Sequence, residues 1–192
     1  MKLSRTTDAA TEPVTRAEAK LHLRLDSYDE DDLVDRLITA ARQQCEQLAG
    51  RAFIEQTWTM YRDGFWTGKL YLPRPPLQSV TSIKYQDGNN AQQTLAAATY
   101  YVDTAAEPGA VSLAYQQTWP STYGEVNDVE IIYVAGYGDE AADVPATDRQ
   151  AILLAVGHLY EHREATLVGQ AASVLPMGVR SLLAVEGIRD YR

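Results

Sequence analysis

The feature that most constrains the fold lies late in the chain, in residues 143–164, where every side chain from Ala151 to Val156 is apolar. A helix with no polar face over that length has to be covered on several sides, so the other elements are expected to pack around it. Pro145 suits a first helical turn, where a missing N–H costs nothing, and Asp148 sits near the positive end of the helix dipole. This stretch is therefore the expected centre of the core.

The same stretch carries the sharpest chemical pattern in the chain. His158, Glu161 and His162 read H-x-x-E-H, with both histidines one turn apart on one helix face, the arrangement of an inverted zinc-protease motif. Zinc hydrolysis also needs a third protein ligand and a metal-bound water. His22 is the remaining histidine and is remote in sequence, and neither Glu164 nor Glu186 is marked by any pattern. The plainer account is that His158, His162 and Arg163 complement the negative end of the helix, with Glu161 and Glu164 on its solvated side.

A chain of 192 residues with 45% hydrophobic and 22% charged residues has the size and usage of a folded domain. Its formal net charge of -9 is opposite to what gripping a phosphate backbone requires. An acidic surface repels phosphates, so such a chain can stand beside DNA and let it slide past. The single cysteine, Cys45, excludes an internal disulfide and falls within a helical pattern, as a small buried hydrophobe would. The first residues lack an apolar run, and no segment has the ~20 apolar residues of a bilayer span, so neither a signal peptide nor a membrane helix is expected.

Residues 1–13 are polar and rich in Thr and Ala, and read as a flexible arm. Thr15 followed by Glu18 is a capping box that opens a short helix carrying Ala17, Ala19, Leu21 and Leu23 and ending near Arg24. A second helix spans residues 29–50, with Leu33, Leu37, Ile38, Ala41, Cys45 and Leu48 on one stripe and Gly50 as its stop. Its acidic start, Asp29, Glu30, Asp31 and Asp32, followed by Asp35, lies at the positive helix end; it lacks the spacing of an EF-hand. This cluster is the candidate acidic channel or surface site.

After Gly50 the period turns from helical to alternating, and residues 53–133 read as strands over 54–62, 69–72, 80–86, 100–103, 111–115 and 129–134. Pro73, Pro75 and Pro76 force an edge or corner, and Asp87-Gly88-Asn89-Asn90 is a hairpin turn. Gly136 and Gly138 lack the further residues of a phosphate loop and mark the turn from sheet to helix. Trp58, Trp66 and Trp119 have no basic residue immediately beside them, so they read as sheet-core packing and subunit contacts and not as a base-stacking platform. Residues 165–173 read as a mobile loop, and the apolar tail beyond it has too few residues to fold alone and should dock on this subunit or a neighbour.

Leu72-Pro73-Arg74-Pro75-Pro76-Leu77-Gln78-Ser79-Val80 and Val134-Ala135-Gly136-Tyr137-Gly138, running into Val144-Pro145 and Arg149-Gln150-Ala151-Ile152-Leu153, resemble the head-tail connector (adaptor, head completion) proteins of tailed phages. The opening Ala17-Glu18-Ala19-Lys20-Leu21-His22-Leu23-Arg24 and Leu48-Ala49-Gly50-Arg51 fit as well, so the resemblance covers nearly the whole chain. It implies a non-enzymatic virion protein at the head–tail junction, assembled in the host cytoplasm, with no cofactor. It further implies a ring, taken as a dodecamer, beneath the portal protein, meeting a downstream tail or stopper protein while DNA passes through, and a C-terminal segment reaching the portal. Relatives also occur in gene-transfer particles.

The expected fold is α+β. A small helical body (residues 14–50 and 143–164) carries an inserted antiparallel β region (51–138) and a C-terminal docking segment (165–192). Leu182, Leu183, Val185, Ile188, Arg189 and Tyr191 are the candidate portal or neighbour contacts, and the apolar ones are expected to be poorly packed in a lone subunit. Two other functions stay open on sequence: a zinc hydrolase with His158 and His162 as ligands and Glu161 as base, and a plain cytoplasmic interaction module.

Overall fold

The computed structural model describes residues 1–163 and 177–184. The chain forms two compact units, one of Met1–Ala10 with Glu55–Tyr137 and one of Thr11–Ile54 with the residues from Gly138 onward. The first is a β unit and the second is helical, so the protein is α+β.

In the helical unit, α1 (Arg16–Leu23) starts at a complete capping box. The Thr15 hydroxyl accepts from the Glu18 N–H, and the Glu18 carboxylate accepts from the Thr15 N–H at 2.8 Å. The helix stops at Arg24, which takes the left-handed conformation with φ 59°. Helix α2 (Asp31–Ala49) buries Val34, Ile38, Ala41 and Cys45 along its stripe and ends at Gly50, whose φ of 69° a residue without Cβ adopts freely. Helix α3 (Ala146–Glu161) packs against α1, α2 and α4 (Met177–Ala184).

Ala151, Ile152, Ala155 and Val156 of α3 are fully buried, but Leu153 and Leu154 are only half-buried. The expectation that no face of this helix is wetted is thus corrected: its neighbours among the described residues cover one broad side. Four charged residues of this unit, Arg42, Glu46, Arg51 and Asp148, are buried alongside the apolar core, and the first two form a pair. Arg42, 1% exposed, donates to Glu12 at 2.8 Å and to Glu46 at 3.0 Å, and Glu46 accepts the Phe53 N–H at 3.0 Å. Buried charge is tolerated in this pair because each group finds a partner of opposite sign.

The β unit contains a five-stranded sheet in the order β1-β2-β8-β4-β5, formed by β1 (Lys2–Thr7), β2 (Gln56–Arg62), β4 (Leu77–Gln86), β5 (Gln92–Thr94) and β8 (Val129–Ala135). All neighbours are antiparallel, with β8 central: Gln56 pairs with Ala135 and Arg62 with Val129 on one side, Leu77 with Ala135 and Tyr85 with Val129 on the other. Val129, Ile131, Tyr133 and Ala135 point to the buried face and alternate with half-buried residues, the period-2 pattern of a sheet with one core face. A smaller sheet, β3-β7-β6, is built from β3 (Leu70–Tyr71), β6 (Tyr100–Asp103) and β7 (Ala110–Leu113).

The reading of residues 1–13 as a flexible arm is corrected. Lys2–Thr7 is an edge strand on β2, and the Thr6 and Thr59 hydroxyls lie 2.6 Å apart. In the helical unit the Thr11 hydroxyl donates to the Asp139 carbonyl at 2.8 Å, Glu12 holds Arg42, and the Pro13 carbonyl accepts from Arg149 at 2.9 Å. Polar composition misled here because an edge strand and a hydrogen-bonded connector need few apolar side chains.

The prolines after β3 form a corner. Pro75–Pro76 is cis, and the Tyr133 hydroxyl donates to the Pro73 carbonyl at 3.0 Å. A Cβ on Gly109 would stand 2.3 Å from the Leu77 Cβ, so this backbone passes closer to β4 than any side chain permits.

Candidate functional site

The histidine motif has the helix-end geometry that its plain reading describes. The His158 and His162 rings are 4.6 Å apart, and His162 Nδ1 lies 3.0 Å from the His158 carbonyl oxygen, which also accepts the His162 N–H at 3.1 Å. His162 therefore closes the exposed carbonyl end of α3, and Glu161 faces solvent. His22 lies across Gly157, close to α3 despite its distance in sequence. Among the described residues no group of three His, Cys, Asp or Glu side chains could hold a metal ion, and Glu164 and Glu186 lie outside them.

The acidic cluster is largely bonded to bases. Lys20 donates to Asp31 at 2.6 Å, and Arg16 donates to Asp31 at 3.1 Å and to both oxygens of Asp35, one of them at 2.8 Å. Glu30 accepts from the Tyr160 hydroxyl and from Arg163, the latter at 2.6 Å, and Asp29 accepts from the Ser27 hydroxyl at 2.6 Å. The Lys20 ammonium holds the Asp31 carboxyl below the usual carboxylate range. The Arg16 guanidinium does the same for Asp35, and Tyr160 followed by Arg163 does so for Glu30. Asp32 is exposed. The structure thus gives Glu30, Asp31 and Asp35 the role of tying α1, α2 and the end of α3 together.

Beside this network the helical unit has a groove of about 820 Å³, lined by Ala17, Lys20, Leu21, Arg24, Leu25 and Tyr28 among others. Leu21 is 83% exposed and Tyr28 82% exposed. Lys20 Nζ sits 4.4 Å from the Tyr28 ring centroid, a cation–π contact that leaves the outer face of the ring free. The sequence reading grouped Leu21 with Ala19 and Leu23 and so missed this surface. Helical spacing held the signal: Ala19 and Leu23 are one turn apart, and Leu21 lies between them on the opposite side.

The β unit presents a second candidate surface. Residues 114–127 form a long loop between β7 and β8, pinned by Trp119, which stacks on Phe65 at 4.8 Å and meets Trp66 at 4.6 Å. Trp66 is buried and donates to the Val111 carbonyl at 3.2 Å, as the packing reading expects. Trp58 does have a basic neighbour, with the Arg74 guanidinium 5.3 Å from its ring, a cation–π contact that spacing in sequence does not reveal. From the loop, Tyr115 (82%), Tyr123 (45%) and Val126 (77%) are exposed. Loops of this length are uncommon inside a compact domain, where they are usually functional segments or linkers.

Of the residues expected to dock on a portal or neighbour, Leu183 is instead buried at 4% exposure, and Val179 at 0%, in a helix that packs on α3 and α2. The expectation of poor packing is corrected for Leu183, because α4 is amphipathic and α3 offers it a matching face. Leu182 is half-buried, and Val185, Ile188, Arg189 and Tyr191 lie outside the described residues. Among the described residues no helix is long and apolar enough to cross a membrane.

Comparison with solved structures gives close likeness in fold over the full length. The neck of an empty gene transfer agent (GTA) particle computed with C6 symmetry contains a chain 25% identical, with a TM-score of 0.78, covering 98% of this chain and 97% of that one. The neck of a native GTA particle computed with C12 symmetry contains one also 25% identical, with a TM-score of 0.71 and the same coverage. A chain in the virion of a native GTA particle, 23% identical with a TM-score of 0.78, shares the fold over 98% of this chain and 97% of its own. No curated protein matches the sequence. The family model described as head completion protein matches residues 13–175, a span that takes in the core of both units, and the chain therefore belongs to the head completion protein family.

Proposed function

We propose that this chain is a ring subunit at the head–tail junction of a phage-like particle, where copies of it join a portal protein on one side to a tail or stopper protein on the other. At the coarser level the chain is a structural virion protein and not an enzyme. The observation that carries the reading is the family match over residues 13–175 together with full-length likeness to a neck subunit. Necks computed with C6 and C12 symmetry support a ring whose copy number is a multiple of six, and twelve is the number we propose. A heterologous contact that closes on itself makes such a ring without any ligand.

The formal charge of -9 supports a channel wall that does not hold DNA. In this reading Asp29 and Asp32 are the members of the acidic cluster still available to face it, and Leu182, Val185, Ile188, Arg189 and Tyr191 are the portal or neighbour contacts. Electron microscopy of the full chain mixed with the portal ring of the same particle tests it. Twelve copies stacked coaxially on the portal are expected; a monomer that leaves portal rings bare would overturn the proposal.

A further inference from the structure

We propose that neighbouring copies are joined by the tip of the 114–127 loop of one copy entering the groove beside α1 of the next, with Glu125 meeting Arg24 and Val126 covering Leu21 and Tyr28. This joint rests on the ring reading and adds to it which surfaces meet.

A ring with one kind of contact needs two different, complementary patches on every chain. The groove supplies the concave one, with Leu21, Tyr28 and the Arg24 side chain exposed along its wall. Lys20 is engaged with Asp31 and Arg16 with both Asp31 and Asp35, whereas Arg24 forms no ion pair among the described residues. The loop tip supplies the convex patch. Val126 is 77% exposed and Tyr123 45%, and the intervening Glu125 is exposed, with no side-chain partner among the described residues.

The backbone of the loop tip is held in place before it docks. The Tyr123 N–H donates to the Gln86 carbonyl at 3.0 Å, the Gly124 and Glu125 N–H groups both donate to Asp128, and the Asn127 N–H donates to Asp63 at 3.0 Å. The backbone of the tip is thus held from below while its side chains point at water. Opposite, the Lys20 ammonium lies over one face of the Tyr28 ring. An exposed apolar side chain on an ordered tip loses little entropy on docking, which favours a surface built to be covered. Opposite charge at the two patches favours a second copy of this chain over an unrelated partner.

The test uses the full chain assembled into particles, with rings counted by electron microscopy. Arg24→Asp is chosen because aspartate tolerates the left-handed conformation at that position. Arg24→Asp and Glu125→Arg should each lower ring yield about tenfold, and the double variant should recover it. Separately, chains carrying only Leu21→Cys and chains carrying only Val126→Cys should form disulfide-linked pairs when mixed and mildly oxidised, and neither should do so alone; Cys45, 0% exposed, will not interfere. Wild-type rings with no rescue and no mixed crosslink would overturn the joint while leaving the ring reading standing. A Leu21→Cys/Val126→Cys chain that closes only on itself would also overturn it. If the wild-type chain forms no ring, both readings fall.

Discussion

The Arg42 guanidinium, in the middle of α2, donates to the Glu12 carboxylate at 2.8 Å, although Glu12 precedes the first helix and comes from a predominantly polar stretch. This bond, with that of Arg42 to Glu46, fixes where the chain enters the helical unit. Replacing Arg42 by Met would fill the volume but take one buried cation away from Glu46, 4% exposed, and from Glu12. Arg42→Met should cost about 3–5 kcal/mol, and Glu12→Gln less, about 1–2 kcal/mol, because Glu12 is partly solvated. Urea denaturation of the three proteins checks the order; equal stabilities would mean the pair contributes nothing.

Acid should loosen the helical unit. Hydrogen bonds from the Thr15 N–H and hydroxyl, reinforced by Arg149, hold the Glu18 carboxyl below its ordinary range, and Asp31 and Asp35 are held down by Lys20 and Arg16. A carboxylate with a depressed folded pKa contributes stability that is present above its unfolded pKa and is lost as pH falls through the folded one. Stability should therefore be flat near neutrality and decline below about pH 4. A Glu18→Gln variant should show a shallower decline in thermal melts between about pH 5 and 2; an unchanged acid limb would remove Glu18 from the account.

Much of this architecture is legible in the sequence where a local rule fixes it. Thr15 and Glu18 announce α1, Gly50 ends α2 in the left-handed conformation, and the strand at Tyr100–Asp103 lies where alternation puts it. The strands that escaped, Lys2–Thr7 and Gln92–Thr94, sit at the two edges of the five-stranded sheet. Edge strands need no apolar alternation, since one side of their ladder faces water and polar residues there discourage aggregation. The candidate site is less legible for a different reason. Whether Leu21 is core or surface depends on which face of α1 finds a neighbour, and the pairing of Asp31 with Lys20 depends on how two helices cross. Spacing sets Leu21 on the face opposite Ala19 and Leu23, but which of the two faces is covered, and how the helices cross, is not encoded at short range.

Cys45 should be chemically silent in the folded protein. Burial, with Asp148 and Glu46 nearby, pushes its thiol up to about 12, so the reactive thiolate is scarce at neutral pH and out of reach of reagent. A thiol reagent at pH 8 should leave the native chain unmodified for as long as it stays folded and label it fully in denaturant. Rapid labelling of the native chain would mean that α2 opens locally at this turn.

Gly109 should tolerate no side chain. An added Cβ would lie 2.3 Å from the Leu77 Cβ, and the Gly109 carbonyl also accepts the Leu72 N–H at 2.8 Å, so the backbone cannot withdraw without losing that bond. Gly109→Ala is expected to destabilise by about 1–3 kcal/mol, the usual penalty for overpacking. Gly88, with open space around its Cβ position, is the control and should be nearly neutral when replaced by Ala. Similar losses at both positions would show that chain entropy, and not the approach to Leu77, governs the result.

The acidic cluster makes the sharpest division between a structural and a surface role. Asp31 bridges Lys20 and Arg16, so Asp31→Asn removes a carboxylate from a network that joins α1 to α2, and its thermal midpoint should fall measurably at low salt. Asp32, one residue on and exposed, should be within about 0.5 kcal/mol of wild type when changed to Asn. If Asp32 faces passing DNA, however, Asp32→Asn together with Asp29→Asn should slow genome release from assembled particles while leaving their number unchanged. Asp31→Asn should act in the opposite way, lowering the yield of particles and leaving release from those that form untouched. A loss of stability in the Asp29/Asp32 pair would make those residues part of the helical framework and leave the channel reading without its candidates.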